Sequence, residues 1–170
     1  MILAEFKGDD IRPTADRVKE SLFNIIADRV QDSRALDLFC GSGGLGLECI
    51  SRGANEVIFN DISKDSLNVL KKNLARLKGV YNYKVTNFDY AACLCLLSGK
   101  FDLIFLDPPY RLEAGTHALE IIAERGLLVD DGVAVLERDR PFAGHIDGLE
   151  LYDERKYGKT HLSFFRNHGK

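Results

Sequence analysis

Four consecutive residues, Asp107-Pro108-Pro109-Tyr110, bring together a carboxylate, two imino acids and a phenol. Two adjacent prolines lack backbone N–H donors and cannot continue a strand ladder, so the turn they make is stiff and presents carbonyl acceptors. A carboxylate oxygen of Asp107 and the Pro108 carbonyl then form a pair of acceptors with an aromatic ring beside them. Such a pair suits the exocyclic amine of a nucleobase, whose lone pair is delocalised into the ring. Holding both N–H bonds favours a pyramidal nitrogen with its lone pair available. Tyr110 can stack on the base, a contact worth roughly 1–3 kcal/mol. If the electrophile is the methyl group of a sulfonium, in-line positioning contributes up to roughly 7–11 kcal/mol in ideal cases. An anionic Asp107 favours the positive charge that moves from sulfur to nitrogen. Asp107 can also take the proton, with later loss to water as the alternative. No metal is called for. The bland alternative is a turn that merely ends a strand.

A second group lies earlier in the chain. Gly41-Ser42-Gly43-Gly44-Leu45-Gly46 fits G-x-G-x-x-G between a strand and a helix, where glycines permit a tight turn and a close ligand approach. Asp61 follows Gly41 by 20 residues, the place for a carboxylate that accepts both hydroxyls of a ribose. The spacing suits a nicotinamide or flavin dinucleotide and equally S-adenosylmethionine. Phe39, Cys40, Gly41, Ser42 and Gly43 are the expected loop contacts. Asp37, on the strand before the loop, needs a partner because an unpaired buried carboxylate is costly. Either the ammonium of a methionine-like ligand or the amides of the loop itself would serve. Asp89 is placed to accept from an exocyclic amine such as that of adenine, or to N-cap the next helix. Phe88 or Ile62 can pack on the ring face. Cys40 reads as packing rather than as a nucleophile, since methyl transfer to an amine needs no covalent enzyme intermediate.

The elements that must position these residues alternate. Val18, Leu22, Ile25, Ile26 and Val30 recur at helical spacing, predicting a helix from about Thr14 to Val30. Strands are expected at 35–39, 56–59, 83–86, 101–106 and 132–137, with helices after Gly44, from about Ser63 to Lys78, at 91–97 and at 113–125. The run Phe101–Leu106 is almost continuously apolar, as in a strand buried on both faces of a parallel sheet. Two further strands, 149–157 and 160–165, flank Gly158-Lys159. This alternation predicts a doubly wound α/β sheet with a terminal antiparallel hairpin. Ligands in such sheets bind beyond the carboxyl ends of the strands, which is where both residue groups fall.

Composition narrows the classes. The chain has 170 residues, 45% hydrophobic and 29% charged, with 23 basic and 26 acidic residues and a formal net charge of −3. That balance excludes a general nucleic-acid coat protein; a local basic patch remains compatible. The longest apolar runs are too short to span a bilayer, and the acidic N-terminus does not read as a signal peptide. Four cysteines without a C-x-x-C pair point to reduced thiols in a cytoplasmic protein rather than to a disulfide or zinc framework.

Three segments together resemble one family. Arg12-Pro13-Thr14-Ala15-Asp16-Arg17-Val18-Lys19-Glu20, Leu36-Asp37-Leu38-Phe39-Cys40-Gly41-Ser42-Gly43 and Asp107-Pro108-Pro109-Tyr110 look like the bacterial family that methylates guanine N2 in small-subunit ribosomal RNA, as does Tyr157-Gly158-Lys159-Thr160 near the end. The likeness runs from about Lys7 to Phe165. The Asp-Pro-Pro-Tyr box alone is shared with adenine-N6 DNA methyltransferases, and the Arg12–Glu20 segment separates the two. The resemblance implies a single Rossmann-like methyltransferase domain over 1–170 with a mostly parallel seven-stranded sheet. It implies S-adenosylmethionine as donor, S-adenosylhomocysteine as product, and a guanosine in a protein-bound ribosomal assembly intermediate as acceptor. Residues 107–110 then become the target-base turn, and Gly41–Gly43, Asp61 and Asp89 the cofactor contacts. Arg12, Arg17, Lys19 and Arg111 become candidate RNA contacts. The family usually begins with a longer basic hairpin, so residues 1–11 read as the remnant of a shortened RNA-binding segment. The competing expectations are an adenine-N6 DNA methyltransferase, against which stands the lack of a separate target-recognition domain, and a non-catalytic RNA-binding assembly factor of the same fold.

Overall fold

The structure, a computed structural model, describes residues 13–109 and 113–168. Its elements are α1 (Pro13–Ile25), β1 (Arg34–Asp37), α2 (Gly44–Ser51), β2 (Glu56–Asn60), α3 (Lys64–Ala75), β3 (Tyr83–Thr86), α4 (Tyr90–Leu96), β4 (Phe101–Leu106), α5 (Ala114–Arg125), β5 (Leu128–Arg138), β6 (Leu149–Tyr157) and β7 (Thr160–Asn167). The seven strands form one sheet in the order β3-β2-β1-β4-β5-β7-β6. β1 to β5 run parallel, and β7 and β6 are antiparallel. The expected Rossmann-like α/β architecture and its closing hairpin are therefore present.

Apolar side chains cover both sheet faces. On one face Val18, Leu22 and Phe23 of α1, Leu47 and Ile50 of α2 and Leu70 of α3 pack with Phe59, Leu103, Phe105 and Val135. On the other, Leu94 of α4 and Leu119 and Ile122 of α5 pack with Leu36, Ile104 and Leu106. β4 shows why its run is continuous: alternate residues point into opposite layers, and both layers are buried.

Several expectations about element length change: β1 ends at Asp37 rather than Phe39 and α3 at Ala75 rather than near Lys78. The helix expected to reach Val30 ends at Ile25 and gives way to a turn of 3-10 helix over Ala27–Arg29, while Ile26 and Val30 keep their places in the core. β5 begins at Leu128 rather than Gly132, because the chain pairs with Phe101 at Leu128 and again with Leu103 at Val133 across a shift in register. Such an irregularity bends the strand and breaks its alternation, which hides those first residues from a periodicity argument.

Order reverses at β1, where the chain proceeds to β2 and β3 on one side and to β4 and β5 on the other. A crevice outside the carboxyl ends of the strands follows from this topology.

Candidate functional site at the sheet's carboxyl edge

A cleft of about 560 Å³ opens there, bordered by the ends of β1, β2 and β4 and lined by Phe39, Gly41, Asp61, Ile62, Phe88, Asp89, Asp107, Pro108 and Pro109, together with Leu38, Asn60, Tyr90 and Ala114. Its volume lies in the range of small-molecule sites.

The glycine loop is held from three sides. Gly41 and Gly43 have φ of 56° and 94°, the left-handed region that glycine adopts without strain. The Gly41 N–H donates to Asp61 Oδ2 at 2.8 Å, and the Ser63 N–H to Asp61 Oδ1 at 2.9 Å. Asn73 Nδ2 donates to the Ser42 carbonyl at 3.0 Å. Gly46 lets α2 lie directly on β2: a Cβ there would stand 2.3 Å from Phe59 Cε1. Its N–H donates to Asp37 Oδ2 at 3.0 Å, so the loop helix supplies the partner that Asp37 requires. Burial still pushes the Asp37 carboxyl up to about 7, with Gly46 acting against the shift and Asp61 adding to it.

Asp89 fills one of its two expected parts, the N-cap. Its Oδ1 accepts from the Ala92 N–H at 3.0 Å as the N-cap of α4, and the residue borders the cleft. Ile62 and Phe88 are 70% and 42% exposed. Two large apolar side chains open to solvent at the mouth of one cleft are what an aromatic ring would cover.

Asn60 holds this wall together. Fully buried, it donates through Nδ2 to the Leu38 and Phe88 carbonyls at 3.2 and 3.0 Å. Its Oδ1 accepts from the Phe88 N–H at 3.1 Å and from Thr86 Oγ1 at 2.7 Å. Tyr90 extends the wall, with its ring 5.5 Å from Phe39 and its hydroxyl paired with His117 Nδ1 at 2.7 Å. Sequence reasoning missed Asn60, Tyr90, Leu38 and Ala114. An Asn ending an apolar strand was the available signal for the first.

Opposite the glycine loop stands the proline turn. Pro108 is buried and Pro109 exposed. Gly115 at the start of α5 allows that helix to sit against the turn, since a Cβ there would meet Leu136 Cδ1 at 2.6 Å and Pro108 Cγ at 3.4 Å. Asp107 opens into the cleft but is enclosed on its other sides. That desolvation, with the carboxyls of Glu137 and Asp37 nearby, pushes it well above the ordinary carboxylate range. The sequence reading expects an anionic Asp107. The surroundings disfavour that charge unless a cation stands alongside.

The structure thus brings together nine of the expected site residues. Asp37, Cys40, Ser42 and Gly43 lie behind the lining and support the loop. Cys40 is buried, and burial raises its thiol far above the usual range. Arg17 is exposed on α1. Lys19 reaches Glu48 of α2 at 3.7 Å, so its charge is already engaged within the protein. Arg12, Tyr110, Arg111 and residues 1–11 lie outside the described residues.

The family described as conserved hypothetical protein 95 matches residues 2–166. Ribosomal RNA small subunit methyltransferase D of Haemophilus influenzae is 36% identical over 170 residues, covering 97% of this chain and 88% of that protein. The chain belongs to this methyltransferase D family. The Escherichia coli K12 protein of the same name is 35% identical over 129 residues, 76% of this chain and 65% of its own length. Among solved structures, the Escherichia coli protein yhhF superposes with a TM-score of 0.86 at 29% identity, covering 99% of this chain and 92% of that one. A Streptococcus pyogenes protein gives 0.81 at 29% identity, over 89% and 96%. Membership of the methyltransferase D family agrees with a cleft whose two walls are a glycine loop and a carboxylate–proline turn.

Proposed function

We infer that this chain is an S-adenosylmethionine-dependent methyltransferase acting on the exocyclic N2 amine of a guanosine in small-subunit ribosomal RNA, within a partly assembled subunit. The observation that carries the reading is the placement of Asp107 and Pro108 across one cleft from Gly41 and Asp61. The bound cofactor supplies an electrophilic methyl group on a positively charged sulfur.

The residues fit that group. Asp61 keeps both oxygens on loop amides, and each oxygen retains acceptor capacity for a ribose hydroxyl. Ile62 and Phe88 cover the faces of an adenine, and Asp89 accepts from its amine. Carboxyls at 37, 61 and 107 favour a ligand carrying positive charge. On the other wall, Asp107 and the Pro108 carbonyl hold the N–H bonds of the target amine and aim its lone pair into the cleft. Tyr110 stacks on the base. A paired base cannot reach this depth, so the guanosine enters flipped out or from a loop. Exposed Arg17, with Arg12 and Arg111, contacts RNA phosphates. Ribosomal proteins share in recognition, in keeping with a net charge of −3.

The test is transfer of labelled methyl from S-adenosylmethionine to small subunits lacking the modification, followed by nucleoside analysis. Label on N2 of guanosine, abolished by Asp107→Ala with cofactor affinity kept within a few fold, is expected. Label on adenine of DNA overturns the guanosine assignment. Unchanged transfer by Asp107→Ala overturns the role of the proline turn.

A further inference from the structure

Glu137 has no part in the chemistry above, yet the fold sets it against Asp107. β4 and β5 are parallel with Leu106 opposite Leu136, so one residue further on Asp107 and Glu137 stand side by side. Leu106 and Leu136 point into the α4–α5 layer. By strand alternation their successors point to the other face, that of Phe105 and Val135. There the two carboxyl groups are within hydrogen-bonding reach of each other. Two carboxylates at that distance repel unless a proton lies between them. Glu137 sits behind Asp107 and half-buried.

We propose that Glu137 is a positioning residue that makes Asp107 one half of a single-proton acid pair, which releases its proton when a sulfonium docks in front of Asp107 and regains one from the amine after methylation. This rests on the proposed function and extends it. The cycle balances. In the empty protein one proton is shared. A sulfonium cation replaces it electrostatically, and the proton leaves to solvent. The sulfur–carbon bond then breaks as the nitrogen–carbon bond forms, and the electron pair stays on a neutral thioether. The nitrogen, now cationic, gives one proton to Asp107, and the pair is again singly protonated as neutral products depart. Burial raises both groups, and the neighbouring Glu137 and Asp37 carboxyls add to the rise at Asp107, in keeping with one shared proton.

Other charges face this pair. Asp37 stands beside it from β1 and is itself influenced by Asp61. α1 covers the same face and carries Asp16, Arg17, Lys19 and Glu20, with Lys19 tied to Glu48. β7 places Leu162 opposite Glu137, and beyond it β6 carries Arg155, tied to Asp153 at 3.0 Å, and Tyr157.

The experiment is calorimetric binding of S-adenosylmethionine and of S-adenosylhomocysteine to the full chain, between pH 6 and 8, in buffers of different ionisation enthalpy. Both ligands carry the same ammonium and carboxylate, and only the first has a sulfonium. The expected result is close to one more proton released by S-adenosylmethionine, a difference lost in Glu137→Gln and restored in Glu137→Asp, with both ligands still bound. Equal proton release by the two ligands in the unmodified chain overturns the pair and leaves the proposed function standing. A difference retained in Glu137→Gln but lost in Asp37→Asn moves the proton to Asp37 and also overturns it. Binding of neither ligand overturns both readings. The comparison in the unmodified chain can overturn the pair even if a variant fails to fold.

Discussion

Gly44 and Gly46 share one helix, and the same substitution should act on them with opposite sign. Replacing glycine by alanine inside a helix ordinarily stabilises by about 1 kcal/mol. At Gly46 the new methyl would meet three atoms of the Phe59 ring at 2.3, 2.9 and 2.9 Å, far inside the roughly 3.5–4.0 Å of favourable carbon contact. Phe59 is fully buried in β2 and is a rigid ring, so relief requires α2 to lift off the sheet. Overpacking of this kind costs about 1–3 kcal/mol, occasionally more, enough to reverse the propensity gain. A Cβ at Gly44 meets nothing within 4 Å, so Gly44→Ala should be neutral or stabilising by up to about 1 kcal/mol. Urea unfolding with unchanged slope is the assay, and a melting temperature lowered by roughly 2–4 °C per kcal/mol is the thermal counterpart for Gly46→Ala. Because α2 carries the glycine loop, the Gly46 variant should also bind S-adenosylhomocysteine at least about tenfold less tightly, some 1.4 kcal/mol. A Gly46→Ala protein as stable as the unmodified chain would refute the claim that close helix–strand contact sets the loop.

Three further outcomes are expected. Asp37 titrates at about 7 when folded against 3.8 unfolded, so the folded state alone holds its proton between those values, and stability falls as pH rises through that window. The cost is complete above about pH 7, at roughly 4 kcal/mol from 1.36 kcal/mol per unit. Asp37→Asn should therefore flatten the stability–pH curve and gain on the unmodified chain at pH 8 but not at pH 4; parallel curves would contradict this. Asp61→Ala should weaken S-adenosylhomocysteine binding by roughly 1.5–3 kcal/mol, through lost charge-assisted bonds, and Asp61→Asn by less; titration calorimetry showing a change under twofold for the alanine variant would sink the assignment. Cys95 is exposed while Cys40, Cys49 and Cys93 are buried. Burial raises the first two of these thiols far above the usual range and Cys93 to about 11. A thiol-reactive dye should count one cysteine in the native protein and four after unfolding, and labelling of native Cys40 would show the loop to be open.

How much of this was legible beforehand depends on how local each signal is. β3 and β4 carry their limits in their own residues, and both match expectation at 83–86 and 101–106. The glycine loop, Asp61 and the proline turn were readable because each is a short pattern at a strand end. β5 was read four residues short because its opening stretch is defined by a register shift against Phe101 and Leu103, which belongs to two strands at once. Asn60 and Glu137 escaped for the same reason. The first acts through carbonyls at positions 38 and 88, the second through a neighbour thirty positions earlier in the chain. No windowed reading of sequence contains a cross-strand register.

The Asn60 amide has one more consequence. By fastening three separate strand tips to the Phe88 backbone, it leaves the wall proposed to take the adenosine assembled in advance, so docking there would spend little conformational entropy. A rigid mould of that kind accepts methylated donor and demethylated product almost alike, because the two differ by one methyl and one positive charge. On the proposed function, turnover is then driven by the change in charge at sulfur rather than by any change in contour.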